Sequence, residues 1–234
     1  MKNLENLLTK ANSANILPWD LNQEKIIFFD FTADNPELKN IDVADPDSFT
    51  KYIFTKLSNA GARIGIGRYN ENRTIYDKSP VFAALEDHSQ RRTLHIGLDL
   101  WVAAGTPVLA PLDGVVHSFQ DNNAFGDYGP TIILEHSLEK RTFFTLYGHL
   151  SRKSLEILSK GQAITAGQQI AAVGERHENG SWPPHLHFEI IKDLEGRAGD
   201  FPGVCTLKDR DKFLEHCPDP NLLLKIKGLK RPEP

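Results

Sequence analysis

Residues 184–191 read Pro-His-Leu-His-Phe-Glu-Ile-Ile and alternate polar with apolar side chains as far as Ile190. Successive side chains of an extended strand leave on opposite faces. His185, His187 and Glu189 then share one face, while Leu186, Phe188 and Ile190 share the other and build a core. Two imidazoles at this spacing stand about 7 Å apart along the backbone, which lets one or both reach a common ion. A His-x-His pair is by itself a weak sign, because paired surface histidines on strands are common.

His95-Ile96-Gly97-Leu98-Asp99 adds an imidazole and a carboxylate, both ligand types suited to zinc. On a straight strand, the stretch from His95 to Asp99 covers about 13 Å, too far for both side chains to hold one ion through bonds of about 2 Å. The backbone must therefore bend, and Gly97 at the midpoint permits it. Two histidines and one carboxylate make an open three-ligand set that leaves a fourth position for water, as catalytic zinc sites require. Tyr147-Gly148-His149-Leu150 supplies another histidine after the apolar run 142–146, beside a glycine where backbone can approach a substrate. That placement fits strand-end packing as well as function.

The other histidines, His88, His117, His136, His177 and His216, have no partner at metal-ligand spacing and are expected to pack or face solvent. His177-Glu178 begins a His-Glu-x-x-His pattern, but Ser181 stands at its fifth position. Gly65-Ile66-Gly67 lacks the third glycine of a dinucleotide loop, having Asn70 there.

Positioning the candidate groups falls to short strands. From residue 94 to 191 apolar runs alternate with turn residues and leave little room for a long helix, so the core is expected to be all-β. Residues 105–116 and 161–174 look like a diverged internal repeat, each a short strand, a tight turn at glycine and a second strand. Such units cannot bury their faces singly and should close on one another as a small sandwich or barrel. The preceding residues read as mixed α/β: helices over 4–11 and 48–57, the latter capped by Asp45 or Asp47, a strand over 26–31, and a hairpin spanning 63–76. The expected division is an N-terminal extension at 1–85 packed on the core, a core domain at 86–195 and a C-terminal extension at 196–234.

Composition narrows the function classes. The chain is 40% hydrophobic and 25% charged with a formal charge of -4, an ordinary globular balance without an electrostatic case for nucleic acid. The basic clusters Arg91-Arg92 and 225–231 are not interleaved with aromatics as a single-strand binding face would be. The N-terminal residues hold no apolar run of signal-peptide or membrane-spanning length, which points to a cytoplasmic location with other export routes left open. Cys205 and Cys217 form no Cys-x-x-Cys motif and are expected to be free thiols.

Over about residues 92–191 the chain resembles the lysostaphin-type (LytM-like) zinc metalloendopeptidases, which cleave peptide bonds in bacterial cell-wall peptidoglycan. The likeness rests on five ordered motifs: His95 with Asp99, the Ala-Pro-x-x-Gly-x-Val turn at 110–116, Tyr147-Gly148-His149-Leu150, the glycine-spaced segment 161–174, and His185-Leu186-His187-Phe188-Glu189. The resemblance implies a duplicated hybrid motif as the core and one zinc per chain on His95, Asp99 and His187. It further implies His149 and His185 as the catalytic histidines and a peptide or peptidoglycan substrate.

Two departures lie where the cleft wall is expected. Asp127-Tyr128-Gly129-Pro130 replaces a Gly-Tyr-Gly-Asn stretch, and Ser181-Trp182-Pro183-Pro184 replaces a Gly-rich approach to the His-x-His strand. Tyr128 is a candidate substrate contact. So are Arg73 and Tyr76, held near His95 by a short tether, although salt bridging and packing inside the extension fit them equally. An alternative is a catalytically inactive LytM-like domain that binds cell-wall peptide or a partner protein. A phosphocarrier built on the same motif has no use for His95 with Asp99.

Overall fold

The computed structural model describes residues 3–76 and 90–230. Helix α1 (Leu4–Lys10) is capped by Asn3, whose side chain accepts from the Asn6 amide, and it buries Leu4, Leu7 and Leu8. Strand β1 (Ile26–Phe28) follows, somewhat shorter than expected. Helix α2 (Pro46–Ala60) begins where Asp45 accepts from the Ser48 amide and ends at Gly61, whose φ of 61° supplies the left-handed cap.

Strands β2 (Ile64–Gly67), β3 (Glu71–Asn72), β4 (Arg92–His95) and β5 (Leu98–Trp101) divide between two sheets. β2 pairs parallel with β1 and antiparallel with β5, whereas β3 pairs with β4 elsewhere. The hairpin expected over 63–76 is therefore not formed: its arms enter different sheets, and Thr74–Tyr76 make a 3-10 turn. Local alternation specifies that a segment is extended but not which strand it joins.

The core continues through β6 (Pro107–Leu109), β7 (Gly114–Asn122), β8 (Gly129–Leu138) and β9 (Arg141–Gly148). After the short helix α3 (Arg152–Glu156) come β10 (Ala163–Ile164), β11 (Gln169–Ala172) and β12 (His185–Ile191). The main sheet has eight strands in the order β1-β2-β5-β12-β9-β8-β7-β10. The two repeat units exchange strands reciprocally, β6 with β11 and β7 with β10. That reciprocity buries the faces that neither unit can cover alone and gives the all-β duplicated core with a mixed α/β N-terminal part. Strand β13 (Val204–Thr206) joins β4 and β3 in a three-stranded sheet, and α4 (Arg210–His216) and α5 (Asn221–Leu224) close the chain.

The boundary drawn between residues 85 and 86 lies outside the described residues. On its N-terminal side, β1 and β2 extend the same sheet that carries β5 and β12. Phe29, Phe31 and Phe49 pack around Trp101, with ring centroids 6.5, 5.7 and 5.8 Å from the indole, tying the N-terminal part to the middle of that sheet. Such ring pairs contribute about 0.5–1.5 kcal/mol each beyond the area they bury. Cys205 and Cys217 are free and buried. Among the described residues no helix is long and apolar enough to cross a membrane.

Candidate active site

Strand register assembles most of the site. In β12, His187 lies opposite Asp99 of β5 on one side and Gly148 of β9 on the other, and His185 lies opposite Trp101. His95 arrives from the other sheet, as the last residue of β4. The bend inferred between His95 and Asp99 is thus a crossing between sheets at Ile96 and Gly97. What Gly97 supplies is room rather than a left-handed backbone: a Cβ there would stand 2.4 Å from His187 Cε1 and 2.6 Å from His187 Nε2.

Three donor atoms converge. His95 Nε2 lies 3.0 Å from His187 Nδ1 and 3.2 Å from Asp99 Oδ1, and His187 Nδ1 lies 3.1 Å from Asp99 Oδ1. Tetrahedral zinc with bonds of about 2.0–2.1 Å sets its ligand atoms about 3.3 Å apart, so this triangle fits such an ion with little movement. Among the described residues, His95, Asp99 and His187 are also the one group of His, Cys, Asp and Glu side chains able to hold a metal.

Each of the three is fixed by a partner on its far side, as metal-binding side chains commonly are. His95 Nδ1 lies 2.9 Å from the Arg68 carbonyl, so its N–H donates there and Nε2 keeps its lone pair toward the centre. Asp99 Oδ2 accepts from Arg73 Nη1 at 2.6 Å, leaving Oδ1 to the centre. His187 Nε2 lies 3.4 Å from both Glu189 Oε2 and the Tyr128 hydroxyl.

The electrostatics follow the same contacts. Burial opposes the charge on Asp99, but His95 and Arg73 hold its carboxyl well below the usual range. Burial, reinforced by the Arg73 charge, pushes His95 down to about 4. His187 is also penalised by burial, yet its hydrogen bonds to Asp99 and Glu189 raise it above the ordinary imidazole value.

His149 and His185 stand beside this group with ring centroids 4.0 Å apart. His185 Nδ1 lies 2.7 Å from the Pro183 carbonyl and its ring stacks on Trp101 at 4.0 Å. His149 Nδ1 lies 2.9 Å from the Asn179 carbonyl, and its φ of 61° is a left-handed conformation that costs a non-glycine residue about 1 kcal/mol or more. Both rings therefore donate from Nδ1 and carry the acceptor lone pair on Nε2. Burial pushes His185 down to about 4 and His149 well below its ordinary value.

A cleft of about 240 Å³ opens over these residues, lined also by Arg73, Tyr76, Tyr128 and Trp182. Arg73 donates four hydrogen bonds, to Glu71, Asp99, Tyr76 and the Arg68 carbonyl. Tyr128 covers the His187 ring, centroids 5.0 Å apart. At the cleft wall, Tyr128 O accepts from the His149 amide and Pro130 O from the Leu150 amide. Trp182 forms a wall 6.1 Å from Tyr76 and 6.4 Å from His149. His117, His136, His177 and His216 lie elsewhere, and His88 falls outside the described residues. Sequence reasoning did not reach the tie of Arg73 and Glu71 to Asp99. Glu189 shares the face of His187 by alternation and was legible as its partner in principle.

The sequence profile of peptidase family M23 matches residues 93–200. A protein of Haemophilus influenzae described as an uncharacterized metalloprotease is 33% identical over 173 residues, 69% of this chain and 33% of that protein. The chain therefore spans about a third of the length of that relative. Among solved structures, a zinc-containing peptidase from Vibrio cholerae is 30% identical with a TM-score of 0.38, covering 53% of this chain and 31% of that one. The catalytic domain of the antimicrobial peptidase lysostaphin from Staphylococcus simulans is 24% identical with a TM-score of 0.39, covering 57% and 80%. Residues 93–200 of the chain thus form a domain that matches peptidase family M23.

Proposed function

We propose that the chain is a zinc-dependent metallopeptidase that hydrolyses peptide bonds, with His95, Asp99 and His187 as metal ligands and His149 and His185 as catalytic residues. The observation that carries this reading is the convergence of His95 Nε2, Asp99 Oδ1 and His187 Nδ1, all within 4.8 Å of one another, beside two imidazoles with free lone pairs. When bound at three protein ligands with an open position, zinc supplies Lewis acidity and lowers the pKa of water.

The protein side chains then handle protons. His185 Nε2 lies 3.9 Å from Asp99 Oδ1, on the same strand face as His187, and is placed to accept a proton from the attacking water. His149 reaches the same space from the end of β9, where its ring, once Nε2 has taken up a proton, donates to the developing oxyanion or the leaving amine. The two exchange these roles without any change in geometry, since each presents Nε2. Burial keeps both rings neutral near pH 7, the state in which the lone pair is available.

The substrates are peptides of peptidoglycan type or other small-residue peptides, and the described N-terminal residues 3–76 pack on the core and narrow the cleft from one side. Ile75 and Tyr76 lining that cleft support the second point. A catalytically inactive binding domain finds no support in a missing group, because all five positions carry their residue. The test is to load the protein with zinc and offer cell-wall peptides, oligoglycines and free peptides. Chelator-sensitive cleavage of at least one class is expected. A stoichiometrically loaded protein that cleaves none of them overturns the reading.

A further inference from the structure

We propose that Arg73 is a positioning residue of the metal centre, holding Asp99 so that a single carboxylate oxygen faces the ion. The proposal rests on the reading of His95, Asp99 and His187 as ligands. It goes beyond the family match, because Arg73 lies outside residues 93–200.

The guanidinium is gripped on several sides. Nη1 donates to Asp99 Oδ2 at 2.6 Å and to the Tyr76 hydroxyl at 2.9 Å, Nε donates to Glu71 Oε2 at 2.9 Å, and Nη2 donates to the Arg68 carbonyl at 3.3 Å. The side chains of Arg73 and Glu71 are each 1% exposed, and Glu71 Oε1 accepts from the Phe31 amide. The Arg68 carbonyl also receives His95 Nδ1 at 2.9 Å. Residues 68–76 thus grip two of the three candidate ligands, Asp99 through Arg73 and His95 through a backbone carbonyl.

The chemistry suits this task. A carboxylate with two free oxygens can bind a cation through one or both, and occupying Oδ2 selects the first mode. A buried arginine requires compensation, which Glu71 supplies, so the ionised pair adds no net charge beside the ion. The planar fork serves several acceptors at fixed angles, which the point charge of lysine cannot do. Charge alone predicts the opposite sign: a cation this close to a divalent metal repels it, so deleting only Arg73 mixes lost positioning with relieved repulsion.

The test separates the two. Zinc affinity of the full chain is measured by competition with a chromophoric chelator for the wild type, for Arg73→Lys, which keeps the charge, and for the double variant Glu71→Gln with Arg73→Met, which removes the pair at constant net charge. Melting of the metal-free proteins reports folding. Both variants are expected to bind zinc about 10–100-fold more weakly than the wild type. Folded variants that both bind within about twofold of the wild type overturn the proposal, on that same scale. A crystal structure of the zinc-loaded wild type decides the matter if the variants do not fold. One Asp99 oxygen on zinc with Arg73 on the other supports the proposal, and two-oxygen coordination with Arg73 displaced overturns it. A wild-type chain that binds no zinc instead overturns the ligand reading itself.

Discussion

Replacing Gly97 by alanine probes the metal centre without touching any proposed ligand. An added methyl would stand 2.4 Å from His187 Cε1, 2.6 Å from Nε2 and 3.0 Å from the Phe188 carbonyl oxygen. Carbon contacts settle near 3.5–4.0 Å, so the imidazole must retreat by about 1 Å or the sheet crossing must open. His187 has little space to yield, because Tyr128 covers its ring and Glu189 and Asp99 hold its two nitrogens. A displacement of that size exceeds the tolerance of about 0.5 Å for a working site, and misplacement by about 1 Å costs on the order of a hundredfold in rate. The fold itself should lose about 1–3 kcal/mol, as overpacked sites do. Chelator competition and steady-state cleavage, with melting of the metal-free protein as a control, measure the three effects. A Gly97→Ala protein with wild-type zinc affinity and rate would refute the reading that this contact fixes His187 at the metal centre.

Other expectations follow from the same contacts. His149→Ala should keep its zinc and lower kcat by about a hundredfold, the usual contribution of a positioned acid or base; full rate with metal retained would remove His149 from the mechanism. A chain truncated to begin at Arg92 should aggregate, because it loses the pairing of β2 with β5 and uncovers Trp101; a soluble, fully active fragment would contradict this. His136 is buried between the Asp113 carbonyl and the Thr145 hydroxyl, and burial lowers its pKa. Its unfolded form therefore takes up a proton first as pH falls below about 6.5, so the contribution of neutral His136 to stability is complete above that pH and declines below it until the folded-state pKa is passed. Denaturant titrations across this range should show a shallower loss for His136→Gln, by at most about 1.4 kcal/mol per pH unit, and identical slopes would refute the assignment.

The sequence by itself determined much whose physics is local or periodic. Strand alternation put His185, His187 and Glu189 on one face, the distance from His95 to Asp99 required a bend, and Asp45 marked the start of α2. The repeat at 105–116 and 161–174 announced units that must cover each other, which they do through β6 with β11 and β7 with β10. Tertiary structure decided which strands became neighbours. Residues 63–76 read as one hairpin yet feed two sheets, because pairing partners are chosen by burial across the whole domain rather than by the segment's own pattern. That choice puts Arg73 on Asp99 and the Arg68 carbonyl on His95, contacts between residues with no shared periodicity. It also gives Gly97 its reason, the ring of His187 pressed against it from a strand ninety residues away, about which the local sequence around Gly97 carries no information.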